Sequence, residues 1–189
     1  MLSNLSHMQT FEALSNRLYS RLWLVACVYY LVRVMEMVVT AWLVLDMTNG
    51  SALMVAIVGA LRMLPMIFGP IAGILSDRFK KQVIILLPQV TNFIVNSAIA
   101  ILITLQLLEL WHVFLATLII GLANATDFAA RRSFFSEVLK EHHLVNGLAL
   151  DGAAHMGALL AGPALGGLLI TLIGFQGTYT AMLAAYVFT

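Results

Sequence analysis

The chain has 189 residues, of which 61% are hydrophobic and only 10% are charged, and its formal net charge is +1. Its mean hydropathy of +0.96 lies far above that of soluble globular proteins and predicts a membrane protein. The small net charge provides no basic field to neutralise phosphates, so we expect no nucleic-acid partner. Because Cys27 is the single cysteine, neither a disulfide framework nor a cysteine metal site is predicted.

Six apolar runs follow one another along the chain. Five are about 16 to 26 residues long, which is enough or nearly enough to cross a bilayer. They are continuous rather than alternating, which predicts α-helices instead of barrel strands. The sixth, about a dozen residues long, is too short to cross, so we expect Thr189 to be a truncation point. The predicted spans are 22–45, 52–75, 83–108, 111–126, 148–173 and, incompletely, 178–189, after a cytoplasmic tail at 1–20.

The cations flanking these runs all lie on one side of the predicted membrane. They are Arg17, Arg21, Arg78, Lys80, Lys81, Arg131, Arg132 and Lys140. The opposite connections contain neither Lys nor Arg, so the positive-inside rule places the N-terminus in the cytoplasm. Residues 1–20 are largely polar, and we expect no cleavable signal peptide. The predicted location is a plasma membrane, such as a bacterial inner membrane.

Three charged residues lie inside the first two spans. Arg33 and Glu36 are three residues apart near the centre of the first span, so they share a helix face and could neutralise one another. A charge at mid-membrane costs at least about 2.5 kcal/mol, which favours a cavity over a lipid-facing ion pair. Glu36 could then exchange a proton during transport. Arg62, halfway along the second span, is predicted to be a cavity neighbour of Arg33 that binds an anionic group.

A second titratable pair is predicted in the fifth span, where Asp151 and His155 are four residues apart. A proton relay and a structural hydrogen bond are equally open interpretations. His112 lies on the opposite side of the membrane from His142 and His143, so the histidines cannot form one metal site. We therefore predict no metal, no cofactor and no enzymatic or catalytic residues.

Three motifs carry a family resemblance. The stretch Gly73-x-x-x-Asp77-Arg78-x-x-Lys81 resembles the signature loop of the major facilitator superfamily. Asp127 to Arg131 resembles the end of helix four in its drug, macrolide and siderophore exporter branch, with Ala129 replacing a proline. A third stretch is similar to the antiporter motif of the superfamily, through Gly162, Pro163, Gly166 and Gly167.

The resemblance implies a fold and a function. The fold would be the N-terminal half of a transporter: an all-α six-helix bundle of two inverted three-helix repeats, its sixth helix truncated. Asp77, Arg78, Lys81, Asp127 and Arg131, with Gly73, would gate the cytoplasmic side against the missing C-terminal half. The glycines of the third motif would let another helix approach closely, for packing or for sliding during transport.

The implied activity is proton-coupled efflux of a hydrophobic small molecule by rocking of two halves, with this chain as a non-functional half. Its partners would be the substrate, protons, the lipid bilayer and the second half. A lysophospholipid or other lipid-like carrier of the same fold is an alternative. A second alternative is a membrane scaffold or receptor that has no transport activity.

Overall fold

The computed structural model describes residues 17–68, 81–125 and 141–189, without the side chains of 81–82 and 141–143. Within these ranges the chain forms helices and no strand, which confirms the predicted all-α class. Helix α2 continues into a 3-10 segment, Leu64–Phe68. The helices are α1 (Arg17–Met47), α2 (Ala52–Met63), α3 (Lys81–Thr104), α4 (Leu110–Asn124) and α5 (Glu141–Val187).

Three of the described helices are long and apolar enough to cross a membrane: Arg17–Met47, Val83–Thr104 and Leu144–Val187. Two further apolar helices, Ala52–Ile67 and Leu110–Asn124, are shorter. Large apolar side chains cover the outside of the bundle, with Leu160 82% and Ile67 72% exposed. An apolar exterior of this kind suits hydrocarbon rather than water.

The two described connections between separate helices, before α2 and before α4, are short and include residues with left-handed backbone. Asn49 and Gly50 have φ values of 52° and 88°, and the Gly50 amide bonds the Leu45 carbonyl at 2.8 Å. This geometry forms a tight turn between α1 and α2. Before α4, Glu109 and His112 form a reciprocal capping box that fixes the start of the helix.

The prolines act in different ways within the helices. Pro65 lies in the 3-10 segment, where the α-helical hydrogen bonding of α2 ends. Pro88 and Pro163 lie inside α3 and α5, where each removes one backbone donor from the helix.

Helix α5 contains a break at Gly174, whose φ of 69° and ψ of −178° are not helical. Before the break, residues of α5 meet α1 in ascending order on both helices, in the pairs Tyr19–Gly147, Trp23–Leu150, Val34–Gly162 and Val39–Gly166. After the break the order descends: Tyr179 meets Thr40 and Tyr186 meets Tyr29. The chain therefore reverses its direction along α1 at Gly174.

Helix α1 lies at the centre of the described bundle. Its buried residues include tyrosines, valines and Glu36, and they contact α2, α4 and both parts of α5. Helix α3 packs against α4 and α5. This arrangement places Glu36 and Thr40 of α1 in the interior of the bundle.

Candidate functional site

An ion pair between α1 and α2 lies in the interior of the bundle. Arg62 Nη2 donates to both carboxylate oxygens of Glu36, at 2.7 Å to Oε1 and 2.6 Å to Oε2. The Glu36 side chain is 3% exposed and that of Arg62 is 15% exposed. Charge-assisted bonds this short and this shielded are stronger than neutral ones. They join the middle of α1 to the last turn of α2.

Two hydroxyl groups extend this ion pair to the far end of α5. Thr40 Oγ1 donates to Glu36 Oε1 at 3.0 Å, and Tyr179 Oη lies 3.1 Å from Thr40 Oγ1. Because the Thr40 proton is directed at Glu36, Tyr179 is the donor in the second bond. The carboxylate thus connects α1, α2 and the residues after Gly174 through one chain of hydrogen bonds.

Glu36 bonds Arg62 of α2, whereas the spacing within α1 suggested Arg33. The Glu36 carboxylate is directed towards α2, where the long guanidinium side chain of Arg62 reaches it. The anionic group that Arg62 binds among the described residues is thus this internal carboxylate. Arg33 also takes part in an interaction.

Asp151 and His155, the second predicted pair, both contact Tyr30 of α1. The Tyr30 hydroxyl donates to the Asp151 carboxylate, 3.0 Å from Oδ1 and 3.2 Å from Oδ2. The His155 ring meets the Tyr30 ring edge-on, with centroids 5.2 Å apart and an interplanar angle of 88°. Tyr30 therefore connects the two groups, and with them it joins α1 to the first part of α5.

A neutral polar cluster lies between α1, α3 and α4. Tyr29 Oη donates to Asn124 Oδ1 at 3.0 Å, and Asn92 Nδ2 donates to Tyr29 Oη at 3.3 Å. Tyr186 packs its ring against that of Tyr29 from the end of α5. Sequence reasoning missed this cluster, although asparagines inside apolar spans, such as Asn92 and Asn96, were a visible signal.

Two glycines of the predicted packing motif lie directly against α1. A Cβ atom on Gly162 would come within 2.9 Å of Val34 Cγ1, and one on Gly166 within 3.1 Å of Met35 Cγ. A Cβ atom on Gly167 would meet no described atom within 4 Å. Pro163 follows directly after the closest approach.

A third close contact, which sequence reasoning missed, involves Gly121 of α4. A Cβ atom there would lie 2.6 Å from the Arg62 backbone oxygen and 3.1 Å from Pro65 Cγ. Gly121 thus lets α4 lie against the end of α2, next to the residue that bonds Glu36.

The predicted gate falls outside the described residues. Gly73, Asp77, Arg78, Asp127 and Arg131 belong to undescribed segments, and of Lys81 only the backbone is described, as the first residue of α3. Their gating role stays a prediction. Within the described ranges, no group of three His, Cys, Asp or Glu side chains is placed to hold a metal ion.

The apolar helices and the interior ion pair define a multi-pass membrane protein. Residues 8–189 match the profile of a family described as "Transmembrane secretion effector". The chain belongs to this family, which is part of the major facilitator superfamily.

One curated relative is also named as a transporter of this superfamily. It is the "Uncharacterized MFS-type transporter YfiS" of Bacillus subtilis (strain 168), 23% identical over 113 residues. The match covers 60% of this chain and 26% of YfiS, so it spans about a quarter of that relative's length. No solved structure matches the chain.

Proposed function

We propose that the chain is not an enzyme but the N-terminal bundle of a secondary active transporter. This transporter would export a hydrophobic small molecule in exchange for protons. The observation that carries this proposal is the buried ion pair between Glu36 and Arg62. An ionised group inside an apolar span is expensive and marks an ion or substrate pathway by default. The family membership supports transport as the activity.

The proposed role of Glu36 is to couple proton binding to helix position. Protonation removes the negative charge, so the two bonds from Arg62 lose their charge assistance. It also weakens the bond that Thr40 donates to the carboxylate, and with it the connection to Tyr179. A proton therefore favours a conformation in which α2 and the end of α5 are released from α1.

The proposed architecture is a six-helix bundle made of two inverted three-helix repeats. The reversal of chain direction at Gly174 supports a sixth helix that begins there. A second bundle in the complete protein would supply the other wall of the substrate pathway. The N-terminus would be cytoplasmic and the membrane a plasma membrane, as the distribution of cations suggests.

The proposed gate uses the charged loop after the second span. Asp77 and Arg78, with Asp127 and Arg131, would close the cytoplasmic side against the second bundle. The substrates of the transporter would be drugs, macrolides or siderophores. A lipid-like substrate, carried by a transporter of the same fold, is the alternative.

The test is the substitution Glu36→Gln in the complete protein, assayed in proteoliposomes with and without a pH gradient. The glutamine side chain keeps the shape of the glutamate but cannot exchange a proton. We expect flux of a lipophilic fluorescent dye driven by the gradient to fall at least tenfold, with membrane insertion unchanged. The matched control is Asp46→Asn, which neutralises an exposed carboxylate on the same helix and should leave flux intact.

The outcomes separate the proposed role from a structural one. Unchanged gradient-driven flux in Glu36→Gln would show that this carboxylate is not the coupling group. A second outcome would show that the pair serves folding alone. In that case Glu36→Gln inserts poorly, and the double variant Glu36→Gln with Arg62→Gln recovers both insertion and coupled flux. Absence of flux in the unsubstituted protein, with dye binding retained, would favour a scaffold or receptor.

A further inference from the structure

The carboxylate of Glu36 is enclosed, so in the conformation described a proton has to reach it through a neighbouring group. Its side chain is 3% exposed. Among the described residues its hydrogen-bond partners are Arg62 and Thr40. A guanidinium group has donors but no acceptor and is not deprotonated in proteins, so Arg62 cannot pass a proton on. The Thr40 hydroxyl can both accept and donate, so a proton can arrive through it.

The Thr40 hydroxyl is bonded in turn by Tyr179 of α5. Thr40 Oγ1 lies 3.0 Å from Glu36 Oε1 and 3.1 Å from Tyr179 Oη. The two hydrogen bonds point the same way, from Tyr179 through Thr40 to the carboxylate. The Tyr179 oxygen keeps a lone pair that can accept from a further donor. The three groups therefore form a continuous path along which a proton can move towards Glu36.

This path leads towards one end of the bundle. Thr40 lies one helical turn beyond Glu36 in the direction of Met47, where α1 ends, and Tyr179 lies five residues after the break at Gly174. The break is at the same end, because α5 ascends along α1 until it reverses there. In the proposed orientation this end faces away from the cytoplasm. An exporter that exchanges its substrate for protons takes the protons from that side.

We propose that Tyr179 and Thr40 are the proton-transfer residues that deliver a proton to Glu36. A hydronium ion at the end of the path gives its proton to Tyr179 Oη, and the proton that Tyr179 carried passes to Thr40 Oγ1. The proton that Thr40 carried passes to Glu36 Oε1, and a water molecule is left behind. Each hydroxyl group gains one proton and loses one, so both stay neutral. Rotation of the two hydroxyl groups then restores their starting directions.

The proposal rests on the proposed transporter function and adds the route of the coupling proton. Tyr179 is 1% exposed, so a movement of the residues after Gly174 has to admit water to its hydroxyl group. Water does not have to reach the carboxylate, so the ion pair between Glu36 and Arg62 can stay enclosed until the proton arrives. Proton entry and the release of α2 from α1 would then be consecutive steps.

Tyr186 provides a matched control, because it is a second buried tyrosine on the same part of α5. The charge of Glu36 acts on the hydroxyl groups of both tyrosines. Tyr179 is bonded to Thr40, whereas the Tyr186 hydroxyl has no hydrogen-bond partner among the described residues. Removing the Tyr186 hydroxyl therefore leaves the proposed path intact.

The test measures how fast Glu36 takes up a proton in the complete protein, held in lipid nanodiscs. A light pulse releases protons from a caged compound, and the infrared carbonyl band of protonated Glu36 is followed with time. The band is assigned by its absence in Glu36→Gln. We expect Tyr179→Phe and Thr40→Val to slow its rise at least about tenfold, because a positioned proton-transfer group contributes a factor of about 100 or more. Tyr186→Phe should leave the rate unchanged.

Two further comparisons separate proton transfer from a structural role. Tyr179 does not bond Glu36 directly, so in Tyr179→Phe the final amplitude of the band should equal that of the unsubstituted protein while the rate falls. Thr40→Ser keeps a hydroxyl group at the same position, and it should restore most of the rate that is lost in Thr40→Val.

Proton uptake at the unsubstituted rate in Tyr179→Phe would overturn the proposal. So would equal slowing in Tyr186→Phe, a fall in amplitude together with the rate in Tyr179→Phe, or a carbonyl band that never appears in the unsubstituted protein. Dye flux distinguishes this failure from failure of the proposed function. Gradient-driven flux with proton uptake that does not depend on Tyr179 rejects only the path. Uptake through Tyr179 without gradient-driven flux rejects only the transport.

Discussion

Helix α1 contacts two of its neighbours in physically different ways. Against α5 it makes a close contact in which Gly162 and Gly166 leave no room for a side chain. Against α2 the central contact is the ion pair between Glu36 and Arg62. Steric packing does not depend on protonation, whereas the ion pair requires an ionised Glu36. In the proposed mechanism a proton would therefore release α2 from α1 without loosening the part of α5 that precedes Gly174.

Helices α2 and α4 are also held together by a steric contact. Gly121 brings α4 against the backbone of α2 at Arg62, again through steric contact. Helices α1 and α5 thus form one closely packed pair, and α2 and α4 form another. The ion pair joins the two pairs, and the hydrogen bond from Tyr29 of α1 to Asn124 of α4 is a second polar contact between them.

The largest effect should come from breaking the electrostatic contact alone. Arg62→Met fills a similar volume but leaves Glu36 buried without its cation, which should destabilise the protein by about 3–5 kcal/mol. The measurement is the free energy of unfolding of the complete protein in mixed micelles. Glu36→Gln combined with Arg62→Met should recover most of this loss, because no uncompensated charge remains.

A loss below about 1 kcal/mol for Arg62→Met would contradict this interpretation, since exposed ion pairs contribute no more than that. It would mean that Glu36 is not left as a buried charge without a partner when Arg62 is removed. The contact between α1 and α2 would then not depend on the charge of Glu36.

The helical class could be predicted from the sequence, because continuous apolar runs have one stable solution in lipid. The position of Glu36 as a buried charge was visible for the same reason. Its partner was not, because Arg62 is 26 residues away and only the arrangement of α1 against α2 brings them together. Spacing along one helix favoured Arg33, the cation three residues earlier.

Some of the glycine contacts could be predicted from the sequence and others could not. Gly162 and Gly166 are four residues apart, a spacing that indicates one helix face, so a packing surface could be predicted. Gly121 stands without such a pattern, and its role depends on Arg62 and Pro65 of another helix. Tyr179, which reaches Thr40 across 139 residues, gave no sequence signal as a site residue.

A smaller effect, about 2–3 kcal/mol, should follow from Gly121→Ala, which places a Cβ atom 2.6 Å from the Arg62 backbone oxygen. The backbone of α2 must shift away, and Arg62 must shift with it. We expect both a loss of unfolding free energy and weaker gradient-driven flux. Gly59→Ala is the matched control on α2, because nothing described lies within 4 Å of its Cβ position.

If Gly121→Ala lowers stability but leaves coupled flux intact, the contact between α2 and α4 does not position Arg62 for coupling. If it changes neither quantity, the two helices are further apart than described. Gly59→Ala should instead be neutral or stabilising by about 1 kcal/mol, because alanine favours the helix more than glycine does.

The smallest effect should come from Gly162→Ala at the contact between α1 and α5, about 1–2 kcal/mol of destabilisation. The added Cβ atom would meet Val34 Cγ1 at 2.9 Å, a side-chain atom, and the Met35 backbone nitrogen at 3.1 Å. A second substitution, Val34→Ala, removes the nearer atom and should restore part of the loss. Gly167→Ala, on the same helix with open space at its Cβ position, should not destabilise.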